Sequence, residues 1–313
     1  MLLAIVKNRY EESANLLAVA SVTANVSVTT SAGLQLGFGD NDNYAGNLVP
    51  FTAGVVYEEN PTISYVPVAG VKYAQQVFSP VPVSILARLT GSLADPTYVY
   101  NALVSSVNGI LNPDFRFFPS DPDPHFSHFV ALMTTLTQAQ RLHWAEDPQQ
   151  AASLAIVIDR YAPAHTVEVG ELLNLLGLPK PKTRSARIAL PVYLALDGRD
   201  SGGVGIITRS VGDLVEILSA AIEVPEGDQQ KGIAKTYPPP AGAGSELSVR
   251  HSKTKPLHAS VAVQYRDGWF YIDETDQATK RFFRMMGALW SVTIADSASE
   301  TTAVPALTVP VSR

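Results

Sequence analysis

The chain contains no cysteine. That excludes disulfides, thiolate metal sites and cysteine nucleophiles, and it is compatible with an oxidising compartment, where a stray thiol is a liability. Charge is scarce as well: Asp, Glu, Lys and Arg make up 17% of the residues, against about a quarter in an average soluble domain. With a net charge of −6 and no dense basic cluster, nucleic acid is not an expected partner. The best candidate for a basic cluster, Lys180, Lys182, Arg184 and Arg187, reads as a solvated loop. Nor does any apolar run approach the roughly 18 residues that a membrane-spanning helix requires. G-x-S-x-G, Walker and dinucleotide glycine motifs are missing.

What is present is a chain of 313 residues, 46% of them hydrophobic, with ample material for a core. The opening run Met1–Arg9 places its positive charges after the apolar residues, unlike a signal peptide. The spacing of Leu2, Leu3, Val6, Tyr10 and Ala14 predicts a short helix ending near Leu17 instead. The period then changes to two. Val22, Ala24, Val26, Val28, Thr30, Ala32, Leu34, Leu36 and Phe38 alternate with Ser, Thr, Asn, Gly and Gln, and after the turn-rich segment 40–47 the positions Val49, Phe51, Ala53, Val55 and Tyr57 resume the alternation on the opposite parity. Two long antiparallel strands are predicted, with Pro61–Pro67 continuing extended.

Beyond Val71 the pattern is mostly helical. Pro82–Leu89, a helix opened by Asp95 and Pro96 and running toward Asn108, and Phe126–His143 are the expected helices, followed by a buried strand at Ala155–Ile158 and a helix over Val167–Leu176 stopped by Gly177 and Pro179. Arg187–Leu196 and Val204–Ile207 read as a hairpin, Val211–Ile222 as an amphipathic helix, and Gln229–Ser245 as a flexible loop. His258–Tyr265 and Trp269–Ile272 flank another turn, Asp273 is expected to cap a helix reaching Ala295, and Ala306–Val311 is extended. The expected fold class is therefore α+β: an N-terminal helix and long β-hairpin over 1–70, a mainly helical region over 71–182, and a C-terminal α+β region over 183–313 with a flexible loop at 226–247, its short hairpins packed on helices.

The most informative feature is the placement of charge. No charged residue lies between Glu12 and Asp40, and none between Asp42 and Glu58. A solvent-facing edge strand ordinarily carries Lys, Glu or Arg to discourage pairing with other chains. Charges kept to the tip and the two feet of the hairpin suit a strand of a membrane barrel, which needs about 9–11 residues to span. A single hairpin cannot close a barrel, so several protomers would contribute to one ring. A hairpin packed inside a periplasmic assembly carries equal weight. In both cases self-association is expected, through a face made of Val22, Ala24, Val26, Val28, Leu34, Leu36, Phe38, Val49, Phe51, Ala53 and Val55.

Chemistry-bearing residues are few. His125 and His128 follow Asp121 and Asp123, a weak metal candidate, since acids in a loop before a helix favour its N-terminal dipole without any ion. Asp273, Glu274 and Asp276 read as first-turn acids rather than a catalytic pair. Most of the aromatic group Trp269, Phe270, Tyr271, Phe282, Phe283 and Trp290 is expected in the core. No catalytic residue, metal or cofactor is assigned.

On Leu3–Tyr10, Asn60–Pro67, Ser105–Gly109 and Val263–Asp273, the chain resembles a family of uncharacterised proteobacterial cell-envelope proteins, often predicted as lipoproteins. Members usually begin with an export signal and a lipid-bearing cysteine, and here this sequence departs from them. The resemblance implies a place, the periplasm or outer membrane, and no mechanism. The reading is a structural subunit of an oligomeric Gram-negative envelope complex, with a ring of hairpins forming an outer-membrane pore as one form of it. A periplasmic accessory module docking onto another envelope machine is the alternative, and an enzyme of unknown type comes third.

Overall fold

Helix α1 covers Leu2–Arg9 and no more, because Glu11 takes a left-handed backbone (φ 54°) and the amides of Tyr10 and Glu12 both return to the carbonyl of Lys7. The expected extension to Leu17 is thereby corrected. Strand β1 already begins at Leu16 and runs to Leu34. The computed structural model describes residues 1–12, 16–34, 51–68, 75, 77–92, 95–113, 124–146, 154–159, 166–180, 187–195, 202–238, 242–299 and 307–310. Within these the chain is mixed α+β and divides into two units, Met1–Ala14 with Gly70–Thr293, and Asn15–Ala69 with Ile294–Arg313.

The second unit is built on β1 and β2 (Phe51–Val68), an antiparallel pair, with β12 (Leu307–Pro310) added to the far side of β2 across Thr62–Tyr65. The segment expected to continue extended after Tyr57 is thus the second half of one strand.

The first unit contains a six-stranded sheet in the order β4-β3-β8-β7-β6-β5, made from Val104–Val107 (β3), Ile110–Leu111 (β4), Leu142–Glu146 (β5), Leu154–Asp159 (β6), Arg187–Tyr193 (β7) and Val204–Thr208 (β8). Its strands come from both sides of residue 182. The sheet thus runs across the boundary expected there; helical residues outnumber strand residues among the described residues of 71–182, and β3 to β6 also lie in that stretch. Helices α2 (Val83–Thr90) and α3 (Pro96–Leu103) precede β3, and α4 (Pro124–Gln138) joins β4 to β5. As the Asp95-Pro96 pair predicts, the Asp95 carboxylate accepts from the amide of Thr97 at 3.0 Å. The helix stops at Leu103, however, because Asn108 and Gly109, both at positive φ (43° and 80°), turn the chain into the β3–β4 hairpin. Similarly, α4 ends at Gln138 and Leu142–Glu146 is a strand.

A second correction concerns β7 and β8. They pair in parallel, Val192 with Val204 and Tyr193 with Gly205, instead of forming a hairpin. Asn108 holds the start of β8. Its backbone amide donates to the Gly205 carbonyl at 2.8 Å, and its side-chain oxygen accepts the Gly205 amide at 2.6 Å. Its side-chain nitrogen donates to Leu176 O at 2.8 Å, the carbonyl just past helix α5 (Thr166–Leu175). Between sheet and helices sits a core of fully buried Tyr100, Phe126, Phe129, Leu103, Met133 and Ile156, in which the Tyr100 and Phe129 rings meet edge to face at 5.9 Å. Each such side chain contributes about 1.5–3 kcal/mol on leaving water.

Helix α6 (Val211–Ala220) is opened by a capping box between Ser210 and Asp213 and packs against α1, burying Ile5, Val6, Leu214 and Leu218. A five-residue helix α7 (Glu226–Gln230) follows. The three-stranded sheet β10-β11-β9, from Ala259–Tyr265, Gly268–Asp273 and Arg250–Ser252, alternates along β11 with Phe270 and Ile272 buried. Helix α8 (Gln277–Ser299) buries Phe282, Met286, Leu289 and Trp290, as its spacing predicts. Its cap is Asp276, whose carboxylate accepts from the Thr279 amide at 2.9 Å. Asp273, the expected cap, bonds instead to the amide and hydroxyl of Thr275 in the turn before it.

Candidate functional site

Alternation along two strands has meaning only through their register. Here Leu34 pairs with Phe51, Ala32 with Ala53, Thr30 with Val55, Val28 with Tyr57, Val26 with Glu59, Ala24 with Pro61 and Val22 with Ile63. The even positions of β1 therefore meet the odd positions of β2, and the two apolar runs fall directly across from each other. The intervening pairs are Gly33 with Thr52, Ser31 with Gly54, Thr29 with Val56, Ser27 with Glu58 and Asn25 with Asn60. A register shift between Val19 and Ser21 marks a bulge toward the base. Leu36, Phe38 and Val49 lie outside the described residues.

Two features of this ribbon matter. First, β1 has β2 on one side and no strand on the other among the described residues, so its outer edge is unpaired from Leu16 to Leu34. The second edge of β2 is paired only over Thr62–Tyr65, leaving Phe51–Pro61 without a described neighbour there. Second, β1 carries no charged residue at all. A row of unpaired N–H and C=O groups on a strand that itself carries no Lys or Glu is a template for another strand.

The charge distribution expected from sequence needs one correction. Glu58 and Glu59 do not stand at the foot of the ribbon. They sit opposite Ser27 and Val26, in mid-strand, because β2 continues to Val68 and β1 begins at Leu16. The charge-free part on the tip side begins at Val28 and Tyr57.

Of the histidine candidates, His125 and His128 lie on α4. His128 Nε2 lies 3.5 Å from the carboxylate of Glu171 on α5, an exposed pair, while Asp121 and Asp123 fall outside the described residues. Among the described residues no three potential metal ligands come together. No described helix is long and apolar enough to cross a membrane.

A polar hub that the sequence did not announce lies between α1, α6 and the stretch after α7. The Glu216 carboxylate accepts from Asn8 Nδ2 at 3.1 Å, from Lys235 Nζ at 2.9 Å and from the Tyr237 hydroxyl. Burial works to raise the pKa of Glu216, but the hydrogen bonds from Tyr237, Lys235 and Asn8 outweigh it and hold the carboxyl below its usual range. Burial and the carboxylate together push the Tyr237 phenol well up. The Arg9 guanidinium stands 4.7 Å from the Tyr237 ring centroid, and the Lys235 amide donates to the Arg9 carbonyl at 2.8 Å. Lys235–Tyr237 is therefore docked, which corrects the linker expected there. The contacts of Asn8 and Arg9 reach residues more than two hundred positions away, and no local pattern encodes them.

Comparison of the chain with protein-family models, with curated proteins and with solved structures finds no match.

Proposed function

We propose that this protein is a structural subunit of an oligomeric Gram-negative envelope complex, a ring in which each protomer contributes its ribbon to an outer-membrane β-barrel pore. The observation that carries the reading is the outer edge of β1, nineteen residues long, uncharged, and unpaired among the described residues. Placed in a bilayer, such an edge costs several kcal/mol for each unsatisfied group. Pairing β1 of one protomer with the open part of β2 of the next covers that part of β2 and an equal length of the β1 edge, and repetition closes a ring. The tip-side part, from Val28 and Tyr57 outward, is free of charge up to Asp40 and Asp42. The described strands Val28–Leu34 and Phe51–Tyr57 supply seven residues each toward the roughly 9–11 a barrel strand needs, and the uncharged sequence continues past them. The envelope setting rests on the family resemblance.

A second reading, a periplasmic accessory module docking its ribbon onto another envelope machine, is favoured by Glu59. It occupies one of the otherwise apolar alternate positions, opposite Val26, and an ionised carboxylate there suits a protein or aqueous neighbour better than lipid.

Because the chain has no native cysteine, cross-linking separates the two readings. Protomers carrying only Thr29→Cys on β1, co-expressed with protomers carrying only Thr52→Cys on β2, should give a covalent dimer with a flexible thiol-reactive linker. Exclusive cross-linking to other envelope proteins supports the docking module, and no cross-link of either kind contradicts both.

A further inference from the structure

A cleft of about 440 Å³ opens where the first turns of α8 cross strands β10 and β11. Its polar lining is Lys280, Arg281, Arg284, Gln277 and Ser260. Three cations thus fall within five residues of one helix, in a protein whose net charge is −6. Their neutralising partners are missing. Among the described residues neither Arg281 nor Arg284 makes an ion pair or a hydrogen bond, and Lys280 donates to the backbone carbonyl of Glu274 at 2.8 Å. Two of the nearby acids are engaged elsewhere, Asp273 with Thr275 and with Arg250 at 3.2 Å and Asp276 with the Thr279 amide, while Glu274 has an exposed side chain and meets Lys280 through its backbone carbonyl.

The arginines are placed without consuming their donors. Arg281 stands 5.2 Å from the centroid of the Tyr98 ring on α3, a cation–π contact that steadies the guanidinium while its N–H groups stay free. Arg284 lies one helical turn from Lys280, on the same face. The remaining walls are apolar, formed by Val261, Ile272 and Phe283. Paired guanidinium forks suit an oxyanion that accepts several hydrogen bonds, and an apolar wall beside them suits a ligand whose anionic group carries a non-polar substituent.

We propose that this cleft binds an organic phosphate, with the phosphate between Lys280, Arg281 and Arg284 and its non-polar part against Val261, Ile272 and Phe283. Phospholipid headgroups and free phosphate esters share this chemistry. The assignment does not depend on the ribbon or on its assembly.

The test uses the full chain and two probes, phenyl phosphate and inorganic phosphate, titrated calorimetrically at low salt. Phenyl phosphate should bind saturably and at least about tenfold tighter than inorganic phosphate, and Arg281→Gln or Arg284→Gln should each weaken it about tenfold, the scale of one lost charge-assisted hydrogen bond. Both arginines are exposed, so folding should survive. As a second variant, Gln277→Glu puts a carboxylate in the cleft at a helix position that favours acids, and should abolish binding with an unchanged melting curve. No saturable heat with either probe, or equal affinity in the wild type and all three variants, would overturn the proposal. Cosedimentation with phosphatidylglycerol vesicles over phosphatidylcholine, competed by phenyl phosphate and lost in Arg281→Gln/Arg284→Gln, identifies the lipid headgroup as the source. Phenyl phosphate binding without such cosedimentation identifies a soluble ester.

Discussion

Glu59 lies directly across the antiparallel ladder from Val26, and its neighbour Glu58 lies across from Ser27. These are the only charged residues on β1 and β2. They divide the ribbon into a tip-side part, Val28–Leu34 with Phe51–Tyr57, and a base-side part, Leu16–Asn25 with Asn60–Val68. A barrel built from such ribbons would place its hydrocarbon boundary on the tip side of this register.

The position of the glutamates makes arginine scanning specific. Val28→Arg and Leu34→Arg should remove the protein from the membrane fraction, since arginine on a lipid face costs about 2–4 kcal/mol near mid-bilayer. Thr29→Lys, on the other set of alternate positions, should be tolerated. Val26→Arg should be tolerated too, because it meets Glu59 across the strands and gains about 0.2–1 kcal/mol from the opposite charge. Fractionation of the variants checks this, and equal losses for Val28→Arg and Thr29→Lys would refute a lipid-facing assignment.

The Glu216 hub sets an acid limit on the first unit. Its carboxyl is held below the ordinary value of 4.5 by its three donors, so its contribution is fully present above pH 4.5 and is lost as the pH falls through the lower folded value. Glu216→Gln should flatten the dependence of unfolding free energy on pH below about 4.5. At neutral pH it should cost roughly 1 kcal/mol, the low end for hydrogen bonds to a charged group because the site is partly exposed. Urea titrations from pH 3 to 7 would measure both. An unchanged acid slope would show that the carboxylate gains nothing from Tyr237, Lys235 and Asn8.

Asn108, in the turn between β3 and β4, meets several constraints at once. It is buried, left-handed, and ties the Gly205 amide to the Leu176 carbonyl. Asn108→Ala leaves both groups unpaired and strains the turn, at a cost of about 2–4 kcal/mol by urea unfolding. Asn108→Gly relieves the strain but not the lost bonds, so it should fall between Asn108→Ala and the wild type. If the two variants are equally stable, backbone strain plays no part.

Local pattern carried much of this fold. The opposed parities of β1 and β2, the buried β6, helix α5 with its Gly177 stop (φ 68°), α6 with Ser210, and the β10–β11 hairpin all follow from neighbouring residues. Where the reading failed, the deciding contact was distant or two local signals competed. Asn108-Gly109 is a strong hairpin signal placed where a helical period was still running. The turn-rich segment after β7 reads as a hairpin, yet β8 is held parallel by a residue about a hundred positions earlier. Asp273 and Asp276 are equally good caps on paper, and the Thr275 turn takes the first. In the ribbon the alternation was plain, but the glutamates' place at mid-strand needed the register.

The mass of the detergent-extracted particle, measured by light scattering with the detergent subtracted, tests edge completion most directly. A closed ring of ribbons requires a discrete, large multiple of the 33.5 kDa chain, imaged as an annulus with a narrow collar. A homogeneous 33.5 kDa particle, unchanged in mass over a wide concentration range and free of partner proteins, would contradict it.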